Sequence, residues 1–296
     1  MATIGFFDGV HIGHRYLIDR IVAMGREQGL ASVIVTFDRQ PRQVLQPDYR
    51  PQLLSPLNEK LRLLAATGAD GCAVLHFTKE MARMSAWEFM NDILHTELKA
   101  DTLLTGYDNR FGHDRTETFS DYADYGRQMG MTVMRGKPVE TDGTAVSSSL
   151  IRSMLTEGRI AQASVCLGRP YELEGPVVHG RRIGHRLGFP TANILIESEE
   201  KLIPASGVYA VRVQIDNNGP WHNAMTNIGQ RPTFSGSGVT IETHIFGLDD
   251  DLYGHRLRVQ LIDRLRDEQP FGSAEALSRQ LFMDKTKAVQ ILNNTL

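Results

Sequence analysis

The sequence predicts an α/β protein of two domains, in which a parallel sheet covered by helices is followed by an antiparallel β-barrel with a terminal helix. The chain has 296 residues, about two domains by length, and 41% of them are hydrophobic, which is enough for a core in each. Strand and helix periodicities alternate through the first half, as in a mostly parallel sheet. From about residue 171, short runs with apolar residues at every second position indicate antiparallel strands.

The first half is predicted to begin with a βαβ unit and to continue in the same alternation. Residues 2–7 form a short apolar run, and Leu17, Ile18, Ile21 and Val22 then recur at helical spacing as far as Gly29. The further predicted elements are strands at 31–37, 72–77, 102–105 and 131–135 and helices at 57–67, at 85–98, between the last two strands and from about 147. In sheets of this kind, ligands bind beyond the carboxyl ends of the strands.

The second half is predicted to be a compact antiparallel barrel. Its clearest strands lie at 208–215, 239–246 and 257–265, and clusters of Gly, Pro and Asn separate them. Residues 273–292 return to helical spacing and predict the terminal helix. We expect the junction between the domains at 167–174, where both patterns are interrupted.

The overall composition argues against several classes of protein. The net charge is −3 and charges of both signs are spread over both halves, so we expect no nucleic-acid partner and no polybasic membrane surface. Two cysteines, no signal peptide and no apolar run of the ~20 residues that span a bilayer predict a cytoplasmic protein without a disulfide framework.

Two histidines mark the end of the first strand. In "GFFDGVHIGHRYLI", His11 and His14 stand three residues apart at a predicted helix N-terminus, where exposed N–H groups and the helix dipole favour anions. Gly5, Gly9 and Gly13 allow the close backbone approach that a phosphate needs. Two imidazole donors there could hold phosphate oxygens on which charge develops. The alternatives are that the histidines only cap the helix or bind a metal.

A second helix start carries hydroxyl groups and a cation. "VSSSLIRSMLTEG" begins with serines suited to capping, and its periodicity turns Arg152 away from the apolar stripe. A single serine at such a position is most often a cap. The pairing of this motif with the histidines favours a second phosphate contact made by Ser148, Ser149 and Arg152.

The barrel contains a glycine-rich cationic loop, "GRRIGHRLGFPTANI", with Arg181, Arg182 and Arg186 beside the glycines. Such a loop suits a polyphosphate, although alone it is more often only a turn on a solvated face. On the later strand, Glu242 shares a face with Thr240 and His244, opposite Ile241 and Ile245, and alone it reads as a solvated residue.

With these residues in view, the first half resembles the adenylyltransferase domain of bacterial bifunctional riboflavin kinase/FAD synthetases, in the HxGH nucleotidylyltransferase superfamily. The resemblance implies a Rossmann-like FMN adenylyltransferase domain at 1–166, with His11, His14 and Arg152 catalytic as FMN attacks the α-phosphate of ATP. The ATP- and flavin-binding residues that it implies there are Gly5, Phe7, Asp8, Gly9, Gly13, Asp108, Asn109, Ser148 and Ser149.

The second half resembles riboflavin kinases, and the resemblance implies a kinase domain at 167–296. "GFPTAN" is the most specific motif, and Thr191 and Asn193 in it are expected to engage Mg²⁺ and the ATP phosphates. Glu242 matches the catalytic base that takes the proton of the ribityl hydroxyl. Gly180, Arg186 and Arg266 complete the implied binding residues.

The sequence is therefore predicted to be a bifunctional enzyme that makes FMN and then FAD from riboflavin and ATP, with Mg²⁺ at both sites. We expect small-molecule partners only, in a monomer or weak homo-oligomer. Two alternatives stay open: a nucleotidylyltransferase with another acceptor, and a flavin- or nucleotide-binding regulatory protein with one decayed site. The chain departs from the family pattern at Gln40, Asn109 and His185, and it begins almost directly on its first predicted strand.

Overall fold

The structure is a computed structural model that describes residues 1–113, 115–180, 188–233 and 236–294. The chain divides into two compact units, residues 1–148 and 149–296. Each unit has a sheet and a hydrophobic core of its own. Helices α6 (Ser148–Thr156) and α7 (Ile160–Leu167) fall almost wholly in the second unit, where α7 packs on the barrel.

The first unit is built on a five-stranded parallel sheet, as the alternating pattern predicts. Its strand order is β3-β2-β1-β4-β5, and every pairing in it is parallel. The strands are β1 (Ala2–Ile4), β2 (Val33–Phe37), β3 (Gly71–Leu75), β4 (Thr102–Thr105) and β5 (Thr132–Arg135). Because β1 lies in the middle, the loop that follows it is flanked by the carboxyl ends of β2 and β4.

Helices connect the strands, and a short hairpin precedes the end of the unit. The helices are α1 (Ile12–Gln28), α2 (Pro41–Leu45), α3 (Leu57–Ala65), α4 (Ala86–Glu88) and α5 (Phe119–Met129). Helix α4 continues as a π-helical stretch over Phe89–Glu97. A 3₁₀ turn covers Met81–Arg83, and the hairpin pairs β6 (Glu140–Thr141) with β7 (Thr144–Ala145). The apolar stripes of α1 and of the 86–97 helix pack against the sheet.

The first strand is shorter than the sequence predicts. It ends at Ile4, because the backbone of Phe7 has a φ of +53° and turns out of the sheet. The Phe7 ring is buried with Val10 and Ile18 in the core under the turn. A Cβ at Gly5 would lie 3.2 Å from that ring, so a glycine fits this position.

The second unit is a closed six-stranded barrel with a helix at its end, which confirms the predicted class. The barrel order is β10-β11-β12-β9-β8-β13, with antiparallel pairing. Its strands are β8 (Tyr171–Val178), β9 (Ala192–Ile194), β10 (Gly207–Ile215), β11 (His222–Thr233), β12 (Gly236–Ile245) and β13 (Arg256–Arg266), and the terminal helix is α8 (Ala274–Asn294). Ala288 and Leu292 of α8 pack on Val208 and Ile262.

Strand β8 begins inside the segment expected to be an interrupted junction. Its residues alternate strictly between buried and half-buried, and Tyr171 and Leu173 face the barrel interior. Glu172 and Glu174 stand on the other face, where they pair with Arg258 and Arg256 of β13. Glycine and proline near the ends of this stretch argue against a strand in the sequence, although the alternation between them is regular.

Candidate active sites

The first site lies at the turn between β1 and α1. His11 is the N-cap of α1, and its Nδ1 accepts a hydrogen bond of 3.3 Å from the backbone N–H of His14. The two imidazole rings stack with centroids 3.6 Å apart, and the Phe7 ring meets His14 edge-on at 5.2 Å. A Cβ at Gly13 would lie 3.2 Å from the His11 ring, so the glycine makes room for the stack.

The electrostatics of this turn favour a neutral His14. Burial lowers the pKa of His14 well below its ordinary value, and the neighbouring His11 and the ammonium of Lys60 act in the same direction. His14 Nδ1 is buried without a hydrogen-bond partner among the described residues. A neutral imidazole keeps one N–H to donate, and the lowered pKa makes its other nitrogen a weak base, so the turn suits donation to an anion.

Asp8 has a structural task in the same turn. Its carboxylate accepts hydrogen bonds from the backbone N–H groups of Leu54 and Ser55, at 3.2 and 3.0 Å. Ser55 Oγ in turn accepts from the N–H of Gly9, whose φ is +79°. Asp8 is only 2% exposed, and its backbone carbonyl oxygen accepts a hydrogen bond of 2.9 Å from Ser148 Oγ. Asp8 therefore holds the turn in shape.

The loop after β4 reaches the same edge of the sheet. Asn109 is half-buried, and its Nδ2 donates a 2.9 Å hydrogen bond to the carbonyl of Ile4, the last residue of β1. Asp108 beside it is exposed. Asn109, which departs from the family pattern, thus links the loop to the central strand β1 by a hydrogen bond. Gln40, the other departure in this unit, begins α2 and joins Gln43 in a reciprocal capping arrangement.

The serine and arginine motif is divided between the two units. Ser148 belongs to the first unit and contacts Asp8, whereas Ser149 and Arg152 belong to the second. Arg152 Nη1 donates to Ser149 Oγ at 3.4 Å. The contribution of Ser149 and Arg152 to a phosphate site stays a prediction.

The second site consists of two cavities in the barrel unit that share Thr191. One has a volume of ≈ 290 Å³ and is lined by apolar residues of the barrel and α8 together with Glu242, His244 and Arg266. The other has a volume of ≈ 470 Å³ and lies between Pro190, Ala192 and the acidic segment 249–251. Mostly apolar walls with a few convergent polar groups are typical of small-molecule sites.

The strand register brings the predicted kinase residues together. Asn193 on β9 lies opposite Glu242 on β12, and Glu242 lies opposite Asn227 on β11. A Cβ at Gly180 would lie 2.1 Å from Asn193 Nδ2, so a larger residue there would displace this side chain. Arg186 lies outside the described residues, as do Arg181, Arg182 and His185.

Several residues that the sequence analysis did not assign belong to the smaller cavity. His244 Nδ1 lies 2.8 Å from the Pro190 carbonyl, next to Thr191, and burial lowers the pKa of its imidazole. Glu268 accepts from Asn227 at 3.2 Å and lines the cavity. The sequence signal for His244 is the strand face that it shares with Glu242.

Arg266 is held by the terminal helix. Its Nε and Nη2 donate to the carboxylate of Asp284 at 2.8 to 3.0 Å, and Gln280 donates to the same carboxylate at 2.9 Å. Asp284 is 3% exposed, so this is a buried two-pronged ion pair at the cavity wall. In the sequence, an aspartate on an amphipathic helix reads as solvated, and its place on the stripe with Ala288 and Leu292 is the signal for burial.

The fold and these sites define a two-domain, nucleotide-using transferase, and the comparisons with known proteins identify its family. Residues 1–150 match the model described as FAD synthetase, and residues 167–292 match the one described as riboflavin kinase. The chain belongs to the family of bifunctional riboflavin kinase/FMN adenylyltransferases.

Full-length relatives carry the same pair of domains. The member from Escherichia coli K12 is 35% identical over 100% of this chain and 93% of its own length, and the one from Pseudomonas fluorescens is 37% identical over 97% and 91%. A crystal structure described as a macrolide-efflux protein from Streptococcus pneumoniae superposes with a TM-score of 0.88 at 32% identity, covering 96% of this chain and 92% of that one. In the described part of this chain, no helix is long and apolar enough to cross a membrane.

Proposed function

We propose that the chain phosphorylates riboflavin to FMN in its barrel and adenylylates FMN to FAD at the β1–α1 turn. The observation that carries the proposal is the pair of cavities that meet at Thr191. A flavin in the smaller, more apolar cavity and a nucleotide in the larger would present an alcohol and a phosphate to each other at that residue. We assign the kinase to 167–296 and the adenylyltransferase to 1–166.

In the kinase reaction, Glu242 accepts the proton of the ribityl 5′-hydroxyl as that oxygen attacks the γ-phosphorus of ATP. The bond from the γ-phosphorus to its bridging oxygen breaks, and ADP leaves. Glu242 lines the smaller cavity and pairs in register with Asn193, so the base stands beside the predicted phosphate ligands. The reaction needs mainly positioning and charge neutralisation. Arg266, which also lines the smaller cavity, contributes to flavin binding.

Thr191 and Asn193 fit a magnesium ion that is bound chiefly through ATP. Their hydroxyl and amide oxygens are the hard ligands that Mg²⁺ accepts, and the described residues contain no cluster of three or more His, Cys, Asp or Glu side chains able to hold a metal. Mg²⁺ commonly takes one or two protein ligands and completes its octahedron with phosphates and water. The ion would neutralise charge on the transferred phosphoryl group.

In the adenylyl transfer, a phosphate oxygen of FMN attacks the α-phosphorus of ATP, and pyrophosphate leaves as the bond to the β-phosphate oxygen breaks. His11 and His14 at the start of α1 donate to the oxygens on which charge develops. Gly5, Phe7, Asp8, Gly9 and Gly13 shape the turn. Ser148, Ser149 and Arg152 contribute to phosphate binding, and the flavin contacts come from Asp108 and Asn109. Mg²⁺ is also expected at this site. We further propose that the protein is cytoplasmic and is a monomer or weak homo-oligomer.

The fate of two isotopic labels tests both halves of the proposal. With riboflavin and γ-labelled ATP, the label is expected in FMN, and with FMN and α-labelled ATP it is expected in FAD. A labelled flavin in only one of the two incubations would leave a single active site. No labelled flavin in either would favour the regulatory binding protein, and transfer of the α-label to another acceptor would favour a different nucleotidylyltransferase.

A further inference from the structure

Lys60 is a buried cation that the mechanism above does not use. It lies on α3, only 1% of it is exposed, and its Nζ donates to the carbonyls of Phe6 and Phe37 at 3.0 and 2.7 Å. The ammonium also sits 4.0 Å from the centre of the Phe6 ring. Among the described residues no carboxylate forms an ion pair with it. Burying an ammonium without a carboxylate in ion-pair contact is costly even when carbonyls accept its hydrogen bonds, so its presence calls for a reason other than packing.

The position of the ammonium suggests that reason. Phe37 is the last residue of β2, and Phe6 follows β1 and directly precedes Phe7, the residue with positive φ. One cation therefore joins the carboxyl ends of two neighbouring strands at the edge where the nucleotide site lies. The Phe7 ring beyond this tie meets the His14 ring edge-on.

We propose that Lys60 is a positioning residue for adenylyl transfer, which ties the ends of β1 and β2 together so that Phe7 and His14 stand in their working places. The inference rests on the proposed function of the β1–α1 turn and extends it to a residue that does not touch substrate. The ammonium also adds a buried positive charge beneath a site for two polyanionic substrates, where its field is weakly screened.

The charged groups around Lys60 and His14 make the pKa of His14 a measure of the Lys60 charge. Lys60 is faced by Asp8, Asp38 and Cys72, whereas His14 is faced by His11 and by Lys60 itself. The ammonium lowers the pKa of His14. Removing the ammonium is therefore expected to raise that pKa through the loss of its charge, whereas a fall in the rate of FAD formation reports the tie between the two strand ends.

The test compares Lys60→Met, which removes donors and charge, with Lys60→Gln, which keeps an amide donor, and with Lys79→Met as a control at an exposed lysine. FAD formation from FMN is expected to fall about 10- to 100-fold in Lys60→Met, with a smaller loss in Lys60→Gln. FMN formation from riboflavin is expected to be unchanged in all three. In ¹⁵N-histidine NMR titrations, with the His14 signal identified by its loss in His14→Gln, both Lys60 variants are expected to raise the pKa of His14.

An unchanged rate of FAD formation in Lys60→Met would overturn the proposal, whether or not the titration of His14 changes. If Lys60→Met does not fold, Lys60→Gln decides by the same two readouts. If the wild-type chain makes no FAD, the proposed function of this turn fails, and the titration of His14 alone still shows whether Lys60 acts on it.

Discussion

The imidazole rings of His11 and His14 lie stacked 3.6 Å apart at the start of α1, and they differ in what holds them. His11 is fixed as the helix N-cap, whereas burial, the neighbouring His11 and the ammonium of Lys60 lower the pKa of His14 and keep its ring neutral. Two stacked rings in one buried turn cannot both be charged without mutual repulsion. The arrangement therefore favours hydrogen-bond donation to an anion over proton abstraction.

Substitution of His14 by alanine is expected to remove FAD formation selectively. Loss of a donor to a developing negative charge costs about 10²- to 10³-fold in rate. FMN formation from riboflavin in the same preparation is the internal control and is expected to stay at the wild-type rate. Equal loss of both activities would contradict the assignment of two separate sites.

Glu242→Gln is expected to have the opposite effect. Removing a general base lowers the rate by about 10²- to 10⁴-fold, so FMN formation should fall by this factor while FAD formation from supplied FMN persists. Glu199→Gln, at an exposed glutamate on the same unit, is the matched control. A Glu242→Gln enzyme with wild-type kinase turnover would remove this residue from the role of base.

Gly180→Ala tests the position of Asn193. The added methyl group would lie 2.1 Å from Asn193 Nδ2, so the amide must move away from its place opposite Glu242. We expect the KM for ATP in FMN formation to rise at least about tenfold. Gly272→Ala, where a Cβ meets nothing within 4 Å, is the control. Identical kinetics for the two variants would show that Asn193 is not needed in this position.

The buried pair of Arg266 and Asp284 predicts a stability effect. Asp284→Asn leaves the Arg266 guanidinium buried without its counter-charge, which typically costs about 3 to 5 kcal/mol. Urea unfolding of the wild type and the variant measures this difference, and the KM for riboflavin should rise because Arg266 lines the cavity proposed for the flavin. The double variant Arg266→Met with Asp284→Leu should recover most of the stability but not the riboflavin affinity. Recovery of both would assign the pair to packing alone.

Lys60 gives the folding free energy a defined pH dependence. Burial lowers its pKa from 10.5 to about 8, against the opposing effect of Asp8. Between these two pH values the unfolded chain binds more protons than the native one, so this residue makes stability rise as the pH increases from about 8 to 10.5. The full change is about 3 kcal/mol. Urea unfolding across that range should show the rise in the wild type relative to Lys60→Met, and parallel curves for the two proteins would contradict it.

Much of the fold follows from local patterns. The strands over Thr102–Thr105 and Gly207–Ile215 lie where alternation or apolar runs predict them, because buried strands leave a strong periodic signal. Strand β11 was not predicted, since Gly229 and Pro232 interrupt its alternation, and pairing on both sides in a closed barrel stabilises it regardless. The end of β1 at Ile4 depends on the positive φ of Phe7, which composition does not reveal.

The sequence indicates the motif residues of the sites, whose roles stay predictions, and it does not reveal the residues that support them. Lys60, with Leu57, Leu61 and Leu64, lies on the apolar stripe of α3, a signal that a lysine there is buried. Its two carbonyl partners, Phe6 after β1 and Phe37 at the end of β2, are distant in the sequence, and no local pattern encodes such contacts. Asp8 was predicted to bind a ligand, and its carboxylate contacts the backbone of 54–55 because that loop folds across the turn. Long-range hydrogen bonds of this kind are a property of the tertiary fold.

The most direct test of the central claim is a time course of the purified chain with riboflavin, ATP and Mg²⁺, in which the flavins are separated by chromatography. We expect FMN to appear first and FAD to follow, and we expect the reactions of His14→Ala to stop at FMN. Persistence of unchanged riboflavin, together with no conversion of supplied FMN to FAD, would contradict it.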